Sequence, residues 1–303
     1  MHKLGVFLLK VPLRLLGLLP LRVHYALGRF VTWLLQYVVG YRRDEVMHNL
    51  TKAFPDEKVW DLRVVRKEFY RHLGEVIAET VWFGACRGPK RLHRQRLVEI
   101  DNPELVATYR EASPGMVILA GHTGNWEIIG GIAAYNYSDI PSPLSEENYC
   151  VVYRALSSRV WGEIMRDNRT APLHDRKAYE GYLESKELIR YAFKHAGEKK
   201  AYGILIDQRP YFHSPADIEV DFMGQRVKTM TGGAALARKF NMAVLYQTAR
   251  RDRRGHYTLH YTPICGDASK MSVEEIMKKY YALLESDIRE QPANYLWSHK
   301  RFV

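Results

Sequence analysis

Beyond residue 102 the chain alternates short β-rich apolar runs with stretches of helical periodicity, and this alternation limits the available folds more than any other feature. The runs are 116–120, 149–153, 202–206, 242–247 and 256–262, and helical patterns follow the first two at 125–134 and 157–168. Strand-sized apolar runs separated by helical periods build a sheet with helices packed on it. The expected fold is therefore α/β, a mixed sheet layered with helices. One long amphipathic helix is expected over 177–195, and a last helix from an N-cap at Ser272 to about Arg289. No internal repeat is visible.

The first 43 residues differ in kind. They hold seven basic residues (Lys3, Lys10, Arg14, Arg22, Arg29, Arg42 and Arg43), no Asp or Glu, and a dense background of Leu, Val, Phe, Trp and Tyr. The longest stretch without a charge, 30–41, is shorter than the roughly 20 apolar residues a membrane-crossing helix needs. An export signal is a poor match as well, because basic residues recur through the apolar part and no small-residue cleavage site follows. Lys3, Lys10 and Arg14 share one helical face while Val6, Leu9, Leu13 and Leu16 occupy another, and Pro12 and Pro20 should kink or end the segment. This is the pattern of N-terminal membrane-associated helices lying in an interface, with Trp33, Tyr37 and Tyr41 as anchors. The plainer alternative is a core helix pair with basic outer positions. A polar, helix-like stretch over 44–83 and the basic run 87–96 follow. The chain thus divides into membrane-associating helices at 1–43, a helical segment at 44–101 and an α/β domain at 102–303.

Of 303 residues, 45 are Lys or Arg and 34 Asp or Glu, a formal charge of +11. Such a surface attracts nucleic acid, anionic lipid or an acidic carrier protein. Nucleic acid is the weakest of these, since the sequence has no zinc finger, aromatic RNA-binding box or Gly-x-x-Gly loop in a suitable context. Cys86, Cys150 and Cys265 have neither zinc-site spacing nor the density of a disulfide framework, and the twelve histidines include no H-E-x-x-H. No metal and no cofactor are expected.

In the run 115–127, GMVILAGHTGNWE, a buried strand ends at a Gly, exposes His122, passes a second Gly and enters a helix near Asn125. Open α/β sheets hold their ligands at the carboxyl ends of strands, and imidazole moves protons near neutral pH. Glu127 follows in the first helical turn, where the dipole favours its ionised form and where it could hold the His122 tautomer. No Ser or Cys nucleophile lies nearby and no Gly-x-Ser-x-Gly elbow occurs. The pair therefore suits direct attack: His122 takes the proton from an acceptor hydroxyl, which attacks a thioester carbonyl without an acyl-enzyme. A tight strand-to-helix turn whose His caps a neighbour fits the same residues. One His and one carboxylate fall short of the ligand count of zinc.

This segment resembles the H-x4-D/E box of the bacterial lipid A biosynthesis acyltransferases (the lauroyl and myristoyl transferases) and of their relatives that acylate phosphatidylinositol mannosides. Further segments match in order. They are Val152-Tyr153-Arg154, Ile204-Leu-Ile-Asp-Gln208, Asp221-Phe-Met-Gly224 with Thr229 beyond it, and the closing run from Gln291 to Phe302. Two departures are Met223, where the family usually has a second Phe, and the final Val303, where a Lys is common.

The resemblance implies a glycerolipid-acyltransferase-like fold and an O-acyltransferase acting on a lipid A precursor, with His122 as general base and Glu127 as its partner. Acyl carrier protein is the implied acyl donor, with acyl-CoA as the alternative, and the implied location is the cytoplasmic side of the inner membrane. Arg154 would face thioester, phosphopantetheine or acceptor phosphates, unless it only pairs with a neighbouring acid. Arg166 and Arg169 complete an anion site or form a solvated face. Asp207 orders Arg154 or the oxyanion region, or is a turn residue; Asn125 and Gln208 join the substrate-binding group. Thr229, with Thr231, Gly232 and Gly233, opens a helix whose backbone donors suit a phosphate or oxyanion, or is a cap only. The basic runs 87–96 and 250–254 suit an acidic carrier protein or are simply solvated. Other acceptors, a glycolipid or aminolipid, fit the same chemistry. A non-catalytic basic membrane-binding protein and a hydrolase are the readings from other classes.

Overall fold

The computed structural model describes residues 2–210 and 218–302. Helices α1 (His2–Gly17) and α2 (Leu21–Trp33) come first, α2 running on as a π-helical turn, Leu34–Val39, and then α3 (Arg43–Ala53), α4 (Val59–Phe83) and α5 (Pro89–Gln95). The chain continues through β1 (Val98–Ile100), α6 (Pro103–Ala112), β2 (Met116–Ala120), a 3-10 segment Trp126–Ala134, β3 (Tyr149–Tyr153), α7 (Arg159–Arg169), β4 (Tyr182–Glu184), α8 (Leu188–Lys194) and β5 (Ala201–Leu205). It closes with β6 (Glu219–Phe222), β7 (Gln225–Lys228), α9 (Gly232–Lys239), β8 (Ala243–Arg253), β9 (His256–Cys265) and α10 (Val273–Glu290).

Seven strands form one sheet in the order β1-β9-β8-β2-β5-β3-β4, and β6 and β7 form a separate hairpin. Strands β8, β2, β5, β3 and β4 run parallel, while β8 and β9 pair antiparallel and β1 follows β9. The sheet is mixed, as expected. Central β2 is buried along its whole length, which a run of five apolar residues requires when both faces are covered. Val117 and Leu119 enter one core cluster with Ala234 of α9 and Ile276 and Leu284 of α10. Met116 and Ile118, on the other face, pack with Trp82 and Phe83 of α4 and Ile128 of the 3-10 segment. The β2 carboxyl end thus delivers the residues after Ala120 to the middle of the sheet, between the ends of β5 and β8.

Two expected helices take other forms. The long helix over 177–195 is broken: Tyr182 pairs with Val151 as the edge strand β4, the Tyr182 ring stacks on Tyr153 at 4.1 Å, and only Leu188–Lys194 is helical. Cross-strand pairing and aromatic stacking outweigh a helical period of apolar residues here. The segment after Asn125 winds as a 3-10 helix rather than an α-helix. It is pressed against α7 so closely that a Cβ on Gly130 would lie 2.1 Å from the Arg169 carbonyl oxygen. The last helix matches expectation, with Ser272 and Glu275 forming a reciprocal capping box.

Helix α2 crosses α4 at paired glycines, and a Cβ on Gly28 would sit 2.3 Å from the Gly74 carbonyl oxygen. The expected faces of α1 are met only in part, since Val6 is buried while Leu9 of the same face is exposed. Lys10 pairs with Asp167 of α7 and Arg14 lies 3.9 Å from the same carboxylate, because Asp167 supplies the counter-charge that the first 43 residues lack. Val6 is buried, while Phe7, Leu8 and Leu15 of α1, Leu18 just beyond it, and Phe30 and Trp33 of α2 are exposed. Among the described residues, no helix is long and apolar enough to cross a membrane.

Candidate active site

The turn after β2 is built so that His122 stands over the sheet's carboxyl edge. Gly124 has φ +59, a left-handed conformation that favours glycine, and a Cβ there would meet Ala249 at 3.0 Å. Three groups from elsewhere fix the turn. His72 of α4 donates Nε2–H to the Gly124 carbonyl at 3.0 Å, Asn294 Oδ1 accepts from the Gly124 N–H at 3.1 Å, and the Leu296 N–H donates to the His122 carbonyl at 3.0 Å.

His122 Nδ1 lies 2.6 Å from Asp207 Oδ1, and the His122 backbone N–H donates to Asp207 Oδ2 at 3.1 Å. Asp207 follows β5, the strand paired with β2, so register sets the two residues side by side. Burial alone would raise the Asp207 carboxyl. The facing imidazole and the N–H groups donating to it outweigh that cost and hold its pKa below the ordinary 3.8. Around it, burial first and then the Asp207 charge keep the Tyr280 and Tyr295 hydroxyls well above 10, hence protonated. An ionised Asp207 assigns the proton to His122 Nδ1 and leaves the Nε2 lone pair outward, where Gln208 Nε2 reaches it at 3.2 Å. The Trp126 ring meets the imidazole edge-on at 5.4 Å between centroids.

Glu127 is not the residue at His122 Nδ1. Both its carboxylate oxygens accept from Arg169 of α7, from Nε at 2.8 Å and Nη2 at 3.0 Å, and Arg169 Nη1 also donates to the Tyr182 hydroxyl at 3.1 Å. Burial works against the Arg169 charge, but the facing Glu127 prevails and raises the Arg169 pKa. The physical reason is the 3-10 winding, which turns Glu127 toward α7 while β5 offers Asp207 to the ring.

The remaining expected residues are spread over the same edge and its surroundings. Arg154 follows β3 and Arg166 lies on α7, both exposed. Asn125 is buried: its Oδ1 accepts from the Glu127 N–H at 3.2 Å and its Nδ2 donates to Glu79 at 2.9 Å. Thr229 is fully buried, and its hydroxyl has no hydrogen-bond partner among the described residues. The basic run 250–254 is partly consumed within the fold, Arg251 by Glu75 at 2.7 Å and Arg254 over the Tyr25 ring at 5.0 Å. Arg91 of the other run donates to the Gly17 carbonyl and lies over Trp82.

Sequence reasoning missed Glu79, His72 and Asn294, which brace the turn. Glu79 is wholly buried and accepts from both Tyr25 and Asn125, and burial raises its pKa. Its signal in the sequence was slight, an acid among the apolar positions of α4.

The site thus holds an oriented imidazole with an outward lone pair, an ionised carboxylate behind it and a guanidinium-carboxylate pair alongside. Among the described residues no cluster of His, Cys, Asp or Glu suited to a metal ion is found. Burial pushes the Cys86 and Cys150 thiols up to about 11 and raises Cys265, so none is a ready nucleophile. Compared with curated proteins, the sequence gave no significant match. The family model described as bacterial lipid A biosynthesis acyltransferase matches residues 1–303, and the chain belongs to that family of acyl-transferring enzymes.

Proposed function

We propose that the protein transfers a fatty acyl chain from an acyl thioester to a hydroxyl of a lipid A precursor, with His122 as general base and Asp207 as the group that orients it. One observation carries this reading: Nδ1 is tied to a buried ionised carboxylate, so Nε2 is the basic nitrogen and faces outward. An acceptor hydroxyl replaces the Gln208 amide at Nε2. As its oxygen attacks the thioester carbonyl, its proton passes to Nε2 and the imidazolium is stabilised by Asp207. Collapse of the tetrahedral intermediate breaks the carbon–sulfur bond, and the leaving thiolate takes the proton back. Base catalysis of this kind contributes about 10²–10⁴-fold. Three thiols held protonated support direct attack without an acyl-enzyme.

In this reading the Glu127–Arg169 pair forms a charged wall beside Trp126, and Arg154 and Arg166 meet the phosphate of the donor's phosphopantetheine arm. Acyl carrier protein is the donor that a chain of charge +11 suits. The exposed apolar faces of α1 and α2 enter the cytoplasmic leaflet of the inner membrane. The test uses purified protein, an acyl-carrier-protein thioester and a Kdo-lipid A precursor. Wild type should form the acylated product and His122→Ala should not; an unchanged rate in the variant overturns the mechanism.

A further inference from the structure

We propose that Arg42 and His299 form a subsite for a phosphate group on the headgroup of the acceptor lipid, adjoining His122. The inference rests on the acyl-transfer reading above and extends it to how the acceptor is held.

The chain after α10 runs along the catalytic turn. The Gly124 N–H donates to the Asn294 carbonyl at 3.2 Å, Thr123 and Tyr295 form an antiparallel bridge, and Leu296 holds the His122 carbonyl. The same segment is then tied to the start of α3. Arg42 Nη1 donates to the Ser298 carbonyl at 3.1 Å, and Asn49 Nδ2 donates to the carbonyls of Trp297 and His299 at 2.8 and 2.7 Å. The turn at Arg42 and the catalytic histidine therefore belong to one hydrogen-bonded frame.

The charges facing His299 are unequal. Burial first lowers the His299 pKa below the ordinary 6.5. Among the charges acting on the ring, Asp207 opposes that shift while Arg301 and Arg42 add to it, so two guanidiniums stand against one carboxylate. Arg301 is buried, and its hydrogen bonds among the described residues go to neutral acceptors, the Lys228 carbonyl at 3.3 Å and the Tyr281 hydroxyl at 2.9 Å. A buried cation held by neutral groups makes its surroundings favourable for an anion. His299 Nδ1 is buried with no hydrogen-bond partner among the described residues, a circumstance that calls for a functional account. Arg42 has φ 48 and ψ 26, left-handed values that a non-glycine residue adopts at a cost, and such strain gathers at ligand sites.

Position supplies the source of the phosphate. Tyr37, Val38 and Val39, which precede the Arg42 turn, are 55%, 65% and 67% exposed, and Arg42 and Arg43 follow them as exposed cations. An apolar surface giving way to guanidiniums within four residues matches the boundary between acyl chains and a charged headgroup. Asp44 and Glu45 lie beyond, in the first turn of α3. Arg154, just after β3, and Arg166 on α7 stand outside this frame, so the two clusters take separate phosphates.

The experiment measures steady-state transfer by the full chain in mixed micelles, with one acyl thioester donor and two acceptors, a phosphorylated glycolipid and its dephosphorylated form. Wild type should show the lower KM for the phosphorylated acceptor. Arg42→Gln should raise that KM at least tenfold more than it raises the KM for the dephosphorylated one, and His299→Gln should shift it in the same sense. Equal effects on both acceptors, or none, overturn the proposal, as does a rise confined to the donor's KM, which would give the phosphate to the phosphopantetheine arm. Melting temperatures identify variants that fail to fold, and Arg42→Lys then replaces Arg42→Gln. If wild type acylates neither acceptor, the acyl-transfer reading fails by itself. Binding of the two lipids by His122→Ala then decides the subsite, with a preference for the phosphorylated lipid expected and equal affinity contradicting it.

Discussion

His122 Nδ1 and Asp207 Oδ1 are 2.6 Å apart although 85 positions separate the two residues in the chain. Parallel pairing of β2 with β5 brings them together, and no local spacing announces it. Glu127, only five positions from His122, is turned to Arg169 instead. Orientation of the imidazole is thus a property of the sheet, and the segment after His122 contributes a separate charged pair.

That separation predicts different failures at the two carboxylates. Glu127→Gln leaves the largely buried Arg169 charge without its partner, and breaking such a pair costs about 3 kcal/mol. Thermal melting should show a marked loss of stability. Replacing Arg169 with Met in the same chain should recover part of it. A melting temperature unchanged in Glu127→Gln would contradict the pairing.

Helix packing gives a second test. Gly28→Val places branched carbon against the Gly74 carbonyl, where even a Cβ is too close, and overpacking costs about 1–3 kcal/mol. Melting should fall accordingly, whereas Gly162→Ala, where a Cβ meets nothing within 4 Å, should melt like wild type.

The central strands were legible because they are compact apolar runs: the expected 116–120 and 149–153 coincide with β2 and β3, whereas the short β1, β4, β6 and β7 were not foreseen. The capping box at Ser272 was legible because its two residues are three apart. What could not be read was anything decided across the sheet. Tyr182 satisfies a helical period and an edge strand equally, and only Val151 and Tyr153 as neighbours decide between them. His122 was legible as a strand-end residue, but its partner was assigned by proximity in sequence. The basic face of α1 was legible, but the partner of Lys10 was not, because Asp167, its counter-charge, lies on α7.

That last point fixes what should govern membrane binding. If the apolar residues of α1 and α2 meet lipid, Leu15→Glu with Phe30→Glu should sharply reduce co-sedimentation with anionic vesicles, and raising salt should affect wild type little. Binding abolished by salt and indifferent to the two substitutions would place the basic residues in control.

Buried Glu79 makes stability depend on pH in a definite direction. Burial, opposed by hydrogen bonds from Asn125 and Tyr25, raises its folded pKa above the ordinary 4.5. The folded chain therefore keeps a proton that the unfolded chain releases, and stability falls as pH climbs from 4.5 through the raised value. Glu79→Gln cannot titrate. Its melting temperature relative to wild type should rise between pH 5 and 8, and a constant difference would refute the assignment.

The central claim is that Asp207 orients the His122 base, and the most direct measurement is kcat for acyl transfer by Asp207→Asn. The amide cannot stabilise an imidazolium, and a fall of about 10²–10⁴-fold is expected with substrate binding largely kept. A rate within twofold of wild type, in a variant that remains folded, would contradict it.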